Sequence, residues 1–289
     1  MSVAMPASVS ASPVNASLKP CVDARPRLPE PGRCWRTPIL AGIGLAHVAG
    51  LALVLSGWWL VALALVVASH LVFFWGAIVP GSRFYASPVE RFHTQAREVW
   101  LTIDDGPSTD TGRILDLLDA HAAKATFFLV AERATQQPQF VREILSRGHA
   151  IGNHTYSHPA ATFWCLPPRA MRREIGRAQD TFERMTGTRP RLFRSVAGMT
   201  NPFVLPVLQQ EGLRQIGWSA RGFDAVIADP ETVLARIKSK LAPGAIVLLH
   251  EGSAHGVNVE IIRRVLELLG AQGFRCVSPD LRLSDPRSM

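Results

Sequence analysis

The chain has 289 residues, 47% of them hydrophobic, which suits one ordinary domain plus extra segments and supplies enough apolar side chains for a full core. Its formal net charge of +8 and pI near 10.0 favour anionic surfaces: phospholipid heads, phosphate-linked substrates or nucleic acid. Nucleic acid is set aside, because no stretch alternates basic and aromatic residues and no nucleic-acid motif is present. The four cysteines, Cys21, Cys34, Cys165 and Cys276, form no C-x-x-C pair, which argues against a zinc ribbon or a thioredoxin-like centre; they read as free thiols, two of them buried.

Residues 1–36 are rich in Pro, Ala and Ser, show no period of 2 or 3.6, and read as a disordered tail. From Thr37 to Pro80 no residue is charged. That run exceeds the about 20 helical residues that cross a bilayer core, so it reads as a transmembrane two-helix hairpin turning at Ser56-Gly57-Trp58-Trp59. Trp35, Trp58, Trp59 and Trp75 then fall at the interfacial belts. Lys19, Arg25, Arg27, Arg33 and Arg36 flank one end, and Arg83, Arg91 and Arg97 the other. A hairpin puts both flanks on one side, and the positive-inside rule makes that side cytoplasmic. A single span plus an interfacial stretch is the competing reading and would place the C-terminal domain outside. A cleaved signal peptide fits less well, since the run is too long and no small-residue cleavage site comes after it. His47 and His70, inside the run, are expected to pack against the neighbouring helix.

Residues 81–96 read as a linker, and from about Arg97 to residue 284 strand and helix patterns alternate. Strands are expected at Glu98–Ile103, Ala125–Val130, Ala150–Gly152, Arg191–Arg194, Gln215–Trp218, Ala245–Leu249 and Arg275–Val277. A helix is expected over Thr111–Ala122, with Ile114, Leu115, Leu117 and Leu118 inward and Ser108 or Thr109 as N-cap. Seven strands with helices between most of them imply a parallel sheet, and the lack of a Gly-rich dinucleotide fingerprint suits a barrel better than a Rossmann sheet.

Active sites in parallel α/β folds gather at the C-terminal ends of the strands. The first strand ends in Asp104-Asp105-Gly106-Pro107, where Gly-Pro breaks the alternation that would otherwise send the two carboxylates to opposite faces. The third is followed by Asn153-His154-Thr155-Tyr156-Ser157-His158, whose two histidines four apart can hold one metal. With a carboxylate from another strand they make a His-His-Asp triad that suits zinc, cobalt or iron. The sixth ends in Leu248-Leu249-His250-Glu251, with His250 a candidate general acid. The fourth ends in Arg194, which would pair with an aspartate that must stay ionised. Singly these also read as a helix cap, a chance pair, a core histidine and a surface arginine; together, each at a strand end, they make a site.

In these motifs the chain resembles the polysaccharide deacetylase family, the NodB homology domain of carbohydrate esterase family 4-like proteins. Thr102-Ile-Asp-Asp-Gly-Pro107 matches its first motif, His154-Thr-Tyr-Ser-His158 its second and Leu248-Leu-His250 its last. The resemblance covers about Arg97 to Leu283. It implies a distorted (β/α)7 barrel and a metal-dependent hydrolase that removes an acyl group, acetyl above all, from an N-acylated amino sugar. It further implies that Asp105, His154 and His158 hold a divalent metal, zinc first, while Asp104 is the base and His250 protonates the leaving amine. Arg194 would hold Asp104 ionised. Two motifs depart from the family pattern. The usual Arg-Pro-Pro is here Arg194-Ser195-Val196, with Gly198 kept, which changes the pocket wall. The place of the aspartate that orients the acid histidine is held by Arg221, with Asp224 three residues on. Taken with the hairpin and the basic charge, the resemblance points to a multi-pass membrane protein. Its catalytic domain is then expected to face the cytoplasm, and the expected partner is an N-acylated sugar, an oligosaccharide or a lipid-linked glycan. The alternatives are an extracytoplasmic deacetylase of peptidoglycan or a chitin-type polymer, and an inactive membrane-bound glycan-binding module.

Overall fold

The computed structural model describes residues 28–30 and 32–279; most of the expected tail lies outside them. Two helices come first, α1 (Arg36–Leu55) and α2 (Trp59–Ile78), packed antiparallel on each other. Their mean hydropathies of 2.1 and 2.2 and their lengths are sufficient to cross a membrane. They pack little against the rest: Leu45, Leu51, Leu55, Leu60, Leu63 and Leu71 are all exposed. The turn is made where expected, with Gly57 at a φ of 83° and Trp58 N–H returning to Leu53 O. His47 and His70 do meet across the hairpin, with ring centroids 5.2 Å apart.

The segment 81–96 is no free tether. Val89 pairs with Ile216 and Arg91 with Ala245, and Tyr85, Ala86, Val89 and Phe92 are buried. Each large apolar side chain so buried contributes about 1.5–3 kcal/mol, so this segment docks as part of the domain.

Among the described residues eight strands come next, one more than the sequence suggests: β1 (Glu98–Gly106), β2 (Ala125–Leu129), β3 (Ala150–Asn153), β4 (Leu192–Phe193), β5 (Arg214–Gln215), β6 (Ala220–Arg221), β7 (Ala245–His250) and β8 (Arg275–Cys276). The expected strand at 215–218 divides into β5 and β6, because the chain leaves the ladder at Gly217-Trp218. All pairings are parallel, in the order β5-β4-β3-β2-β1-β7-β6, with β8 beside the start of β1. The sheet curls as a half-barrel. Its end strands β5 and β6 do not pair, and the bridges from Val89 and Arg91 span that gap. The parallel α/β expectation holds, while closure uses the segment before β1 rather than strand against strand.

Helices α3 (Thr111–Ala120), α4 (Ala131–Gln136), α5 (Pro138–Ser146), α6 (Pro168–Thr186), α7 (Val204–Gln210), α8 (Pro230–Lys238) and α9 (Asn258–Ala271) occupy the connections. On β1 the alternation of side chains divides two cores. Val99, Leu101 and Ile103 face the helical layer with Ile114, Leu115, Leu118 and Ile262. Trp100 faces the inside of the curl with Phe128, Leu192, Ile216 and Ile246, joined by Val89 and Phe92. On the inner face Trp100, Thr102 and Asp104 therefore succeed one another toward the mouth. α3 begins at the expected residue but without the expected cap: Asp110 is its N-cap and caps with no side chain. Ser108 Oγ instead accepts from Asp110 N–H and donates to Glu251. The thiols are more open than expected, Cys165 being exposed and Cys34 and Cys276 half-buried.

Candidate active site

The mouth is built from strand ends. Asp104 closes the inner row of β1, and its Cα pairs in register with His250 at the end of β7. At Asp105 the strand breaks: φ is 71° and the register to β2 shifts between Asp104 and Gly106. That break lets two consecutive carboxylates serve one cavity. Thr155 and His158 also hold positive φ, at 71° and 57°. Left-handed backbone costs a non-glycine residue of order 1–3 kcal/mol and gathers where function over-determines it.

Asp104 is buried, and its Oδ1 accepts from Arg194 Nη1 at 2.8 Å. Arg194, fully buried, is otherwise spent on fixed acceptors: Thr102 Oγ1, Ile216 O and Gly217 O. Its guanidinium also lies 4.3 Å from the Phe128 ring. Burial pulls the Arg194 pKa down from its ordinary value, with the Asp104 charge opposing that.

Asp105, His154 and His158 come together, one ligand atom of each lying within 4.8 Å of the others. Asp105 Oδ1 is 3.0 Å from His158 Nε2 and 3.4 Å from His154 Nε2. His154 Nδ1 lies 2.8 Å from Arg194 O, a carbonyl, so that nitrogen carries the proton and Nε2 turns its lone pair to the cluster. Asp105 Oδ1 is buried without a directed donor. Acceptors facing one another in this way are the donor set of a cation, and two imidazoles with one carboxylate suit a zinc-like divalent ion. With no cation between them, burial raises the Asp105 pKa, but hydrogen bonds and positive charge from His154 and His158 outweigh it and carry it well below the ordinary carboxylate range.

His250 sits across from this cluster. Its Nδ1 is 3.0 Å from Asp224 Oδ1, and its backbone N–H donates to Asp224 Oδ2 at 2.7 Å. Burial lowers the His250 pKa, yet the Asp224 charge and hydrogen bond, with Asp104 and Asp105 adding, push it up to about 9. Arg221 holds the motif position where the family pattern has its aspartate, and among the described residues no hydrogen bond or ion pair joins it to His250. It lies over the rings of Phe223 and Trp218.

Sequence reasoning passes over Glu251. Its Oε2 accepts from Ser108 N–H, Ser108 Oγ and Thr111 Oγ1, and its backbone N–H donates to Asp104 O. It thus ties the loop after β1 to the end of β7, and its Oε1 lies where a Cβ on Gly106 would sit. The only signal in the sequence is its place beside His250. Asn153, which the motifs leave without a role, accepts from Thr155 N–H through its Oδ1 and so shapes the histidine loop. Arg133 donates to the Asp105 carbonyl from α4.

A family model described as polysaccharide deacetylase matches residues 92–216. A chitooligosaccharide deacetylase of Rhizobium leguminosarum bv. trifolii is 33% identical over 169 residues, covering 57% of this chain and 76% of that protein. The chain belongs to the polysaccharide deacetylase family. Its deacetylase relatives give the enzyme class, a hydrolase acting on carbon–nitrogen bonds. A peptidoglycan-N-acetylglucosamine deacetylase of Bacillus cereus is 32% identical over 185 residues, 63% of this chain and 66% of that one. Among solved structures, a family 4 carbohydrate esterase from Streptomyces lividans in complex with acetate matches with a TM-score of 0.57 and 31% identity, covering 63% of this chain and 98% of its own. A CE4 family pseudoenzyme from Bacillus anthracis matches at 0.59 and 27%, covering 66% of each chain.

Proposed function

We propose that the chain hydrolyses the N-acyl group, acetyl first, of an amino sugar on a glycan carried at a membrane surface. The observation that carries this is the setting of Asp104: 2.8 Å from Arg194, 3.8 Å from His154, and paired in register with His250. Asp105, His154 and His158 would hold the divalent metal. When bound, it supplies Lewis acidity to the amide carbonyl and a lower pKa to water.

The chain's own residues do the rest. Asp104, held in place by Arg194, accepts the proton of the attacking water as its oxygen bonds to the carbonyl carbon. His250, protonated and held by Asp224, gives its Nε2 proton to the sugar nitrogen as the carbon–nitrogen bond breaks. The products are a carboxylate and a free amino sugar. Asp224 thereby takes the orienting role that the family pattern gives to a residue at the position of Arg221.

The hairpin and the basic flanks support a multi-pass protein with its catalytic domain in the cytoplasm, acting on a lipid-linked glycan of the inner leaflet. The relatives' names favour a second reading, an extracytoplasmic deacetylase of peptidoglycan or a chitin-type polymer. An alkaline-phosphatase fusion after Arg97 decides the side: an active fusion puts the domain outside. The activity itself is tested with detergent-purified protein, measuring acetate release from chitooligosaccharides and from lipid-linked N-acetylated sugars, with Asp104→Asn and a chelated sample as controls. Metal-dependent release that Asp104→Asn abolishes supports the reading. A protein that neither releases acetate nor takes up a divalent metal is a glycan-binding module instead.

A further inference from the structure

The catalytic mouth and the base of the hairpin share one end of the molecule. After β4, the loop beyond Arg194 docks on the hairpin. Thr200 N–H donates to Ala77 O in the last turn of α2 at 2.8 Å, and Arg36 Nε donates to Pro202 O at 2.7 Å. Gly198, at a φ of 73°, is wedged so closely between Trp218 and Pro80 that a Cβ would clash with both. The loop after β3, which carries His158, reaches the hairpin as well: Trp164 packs against Phe74 at a tilt of 37°, with ring centroids 4.9 Å apart. Asn201 Nδ2 donates to Leu166 O at 3.1 Å and ties the two loops together.

Phe74 lies four residues before the end of α2, about 6 Å along the axis. Trp164 therefore sits at the depth of the interfacial aromatic belt if α2 spans. α6 starts four residues later, and in a β-α unit the helix after a strand starts at the mouth. Its first turns expose Arg169, Arg172 and Arg173, and Arg177 is exposed midway along with its guanidinium 3.6 Å from the Tyr156 ring centroid. Among the described residues none of the four is paired with a carboxylate. Farther from the hairpin the charge is balanced: Arg189 alone engages Asp180, Glu183 and Glu211. The unbalanced arginines repel one another, and Arg169 stands in the first turn at the positive end of the helix dipole, a cost that an anionic surface offsets.

We propose that the first turns of α6 form a phospholipid-contact surface, in which Arg169, Arg172 and Arg173 engage the phosphates of anionic headgroups in the leaflet where α2 ends. The catalytic mouth is then held against the bilayer surface, and its substrate is a glycan delivered at headgroup level rather than one reached far from the membrane. This rests on the reading of α1 and α2 as a membrane hairpin.

The test uses the full chain in nanodiscs of phosphatidylcholine alone and of phosphatidylcholine with phosphatidylglycerol, with amide hydrogen exchange measured over 160–177. Anionic lipid is expected to slow exchange there by about threefold or more, with α9 unchanged. The effect should disappear in the exposed-site variant R169Q/R172Q/R173Q and at high salt. Equal exchange in the two nanodiscs, or protection that persists in the triple variant, overturns the proposal while leaving the hairpin standing. A chain that stays soluble once detergent is removed, without entering either nanodisc, overturns the hairpin reading and the proposal with it.

Discussion

Arg194 holds Asp104 through a single 2.8 Å contact, while its other bonds go to Thr102 and to the carbonyls of Ile216 and Gly217. The arginine is anchored by the fold and the aspartate is anchored by the arginine. Asp104→Asn keeps the shape and removes the base, so kcat for acetate release should fall by about 10²–10⁴-fold. Arg194→Lys cannot reproduce the fork of bonds. It should lower both stability and kcat, and an Arg194→Lys protein with unchanged melting temperature and rate would show that the pair is dispensable.

Asp224 is the largest of the charges that raise His250. An acid works while protonated, so rate is lost as pH rises through its pKa. A bound cation offsets the fields of Asp104 and Asp105, which places the limb of the loaded enzyme below the value of about 9 that the carboxylates give together. Asp224→Asn removes the remaining support, and the alkaline limb of kcat should move to lower pH. A kcat–pH profile with its alkaline limb unmoved would refute the positioning role.

Glu251 gives a stability signature. Burial pushes its pKa up to about 7, against the hydrogen bonds from Thr111 and Ser108. A carboxyl raised above its unfolded value binds its proton more tightly when folded. Its contribution is complete below about 4.5 and is lost as pH rises through about 7. Glu251→Gln cannot ionise, so its melting temperature minus that of the parent should increase between pH 5 and pH 8. A constant difference across that range would mean that Glu251 is not protonated in the fold.

Metal binding should be tightest at higher pH, since imidazole ligands must be free of their second proton. Isothermal titration with zinc in buffers of different ionisation enthalpy should reveal proton release that grows as pH falls. Asp105→Ala or His158→Ala should weaken binding by more than the about 10–100-fold typical of outer-shell changes. Zinc affinity equal to the parent's in both variants would place the ion elsewhere.

Much was legible in the sequence because it is local. The Asp104-Asp105-Gly106-Pro107 break, the four-residue spacing of His154 and His158, and the uncharged run from Thr37 to Pro80 each state their geometry within a few residues, where backbone alternation and helix length dictate it. The parallel α/β sheet came from the same local periodicities. The tertiary structure decided what depends on contacts between distant segments. Asp224 reaches His250 across 26 residues, and Glu251 clamps Ser108 across 143. The segment 81–96 enters the curl because Val89 and Phe92 find an apolar interior that no neighbouring residue announces. Strand ends of two residues, as in β5 and β6, carry too little pattern to be read alone, and only the ladders beside them show where they lie. The placement of the mouth against the hairpin likewise depends on Thr200 meeting Ala77 and Trp164 meeting Phe74, contacts that exist only once the barrel has curled.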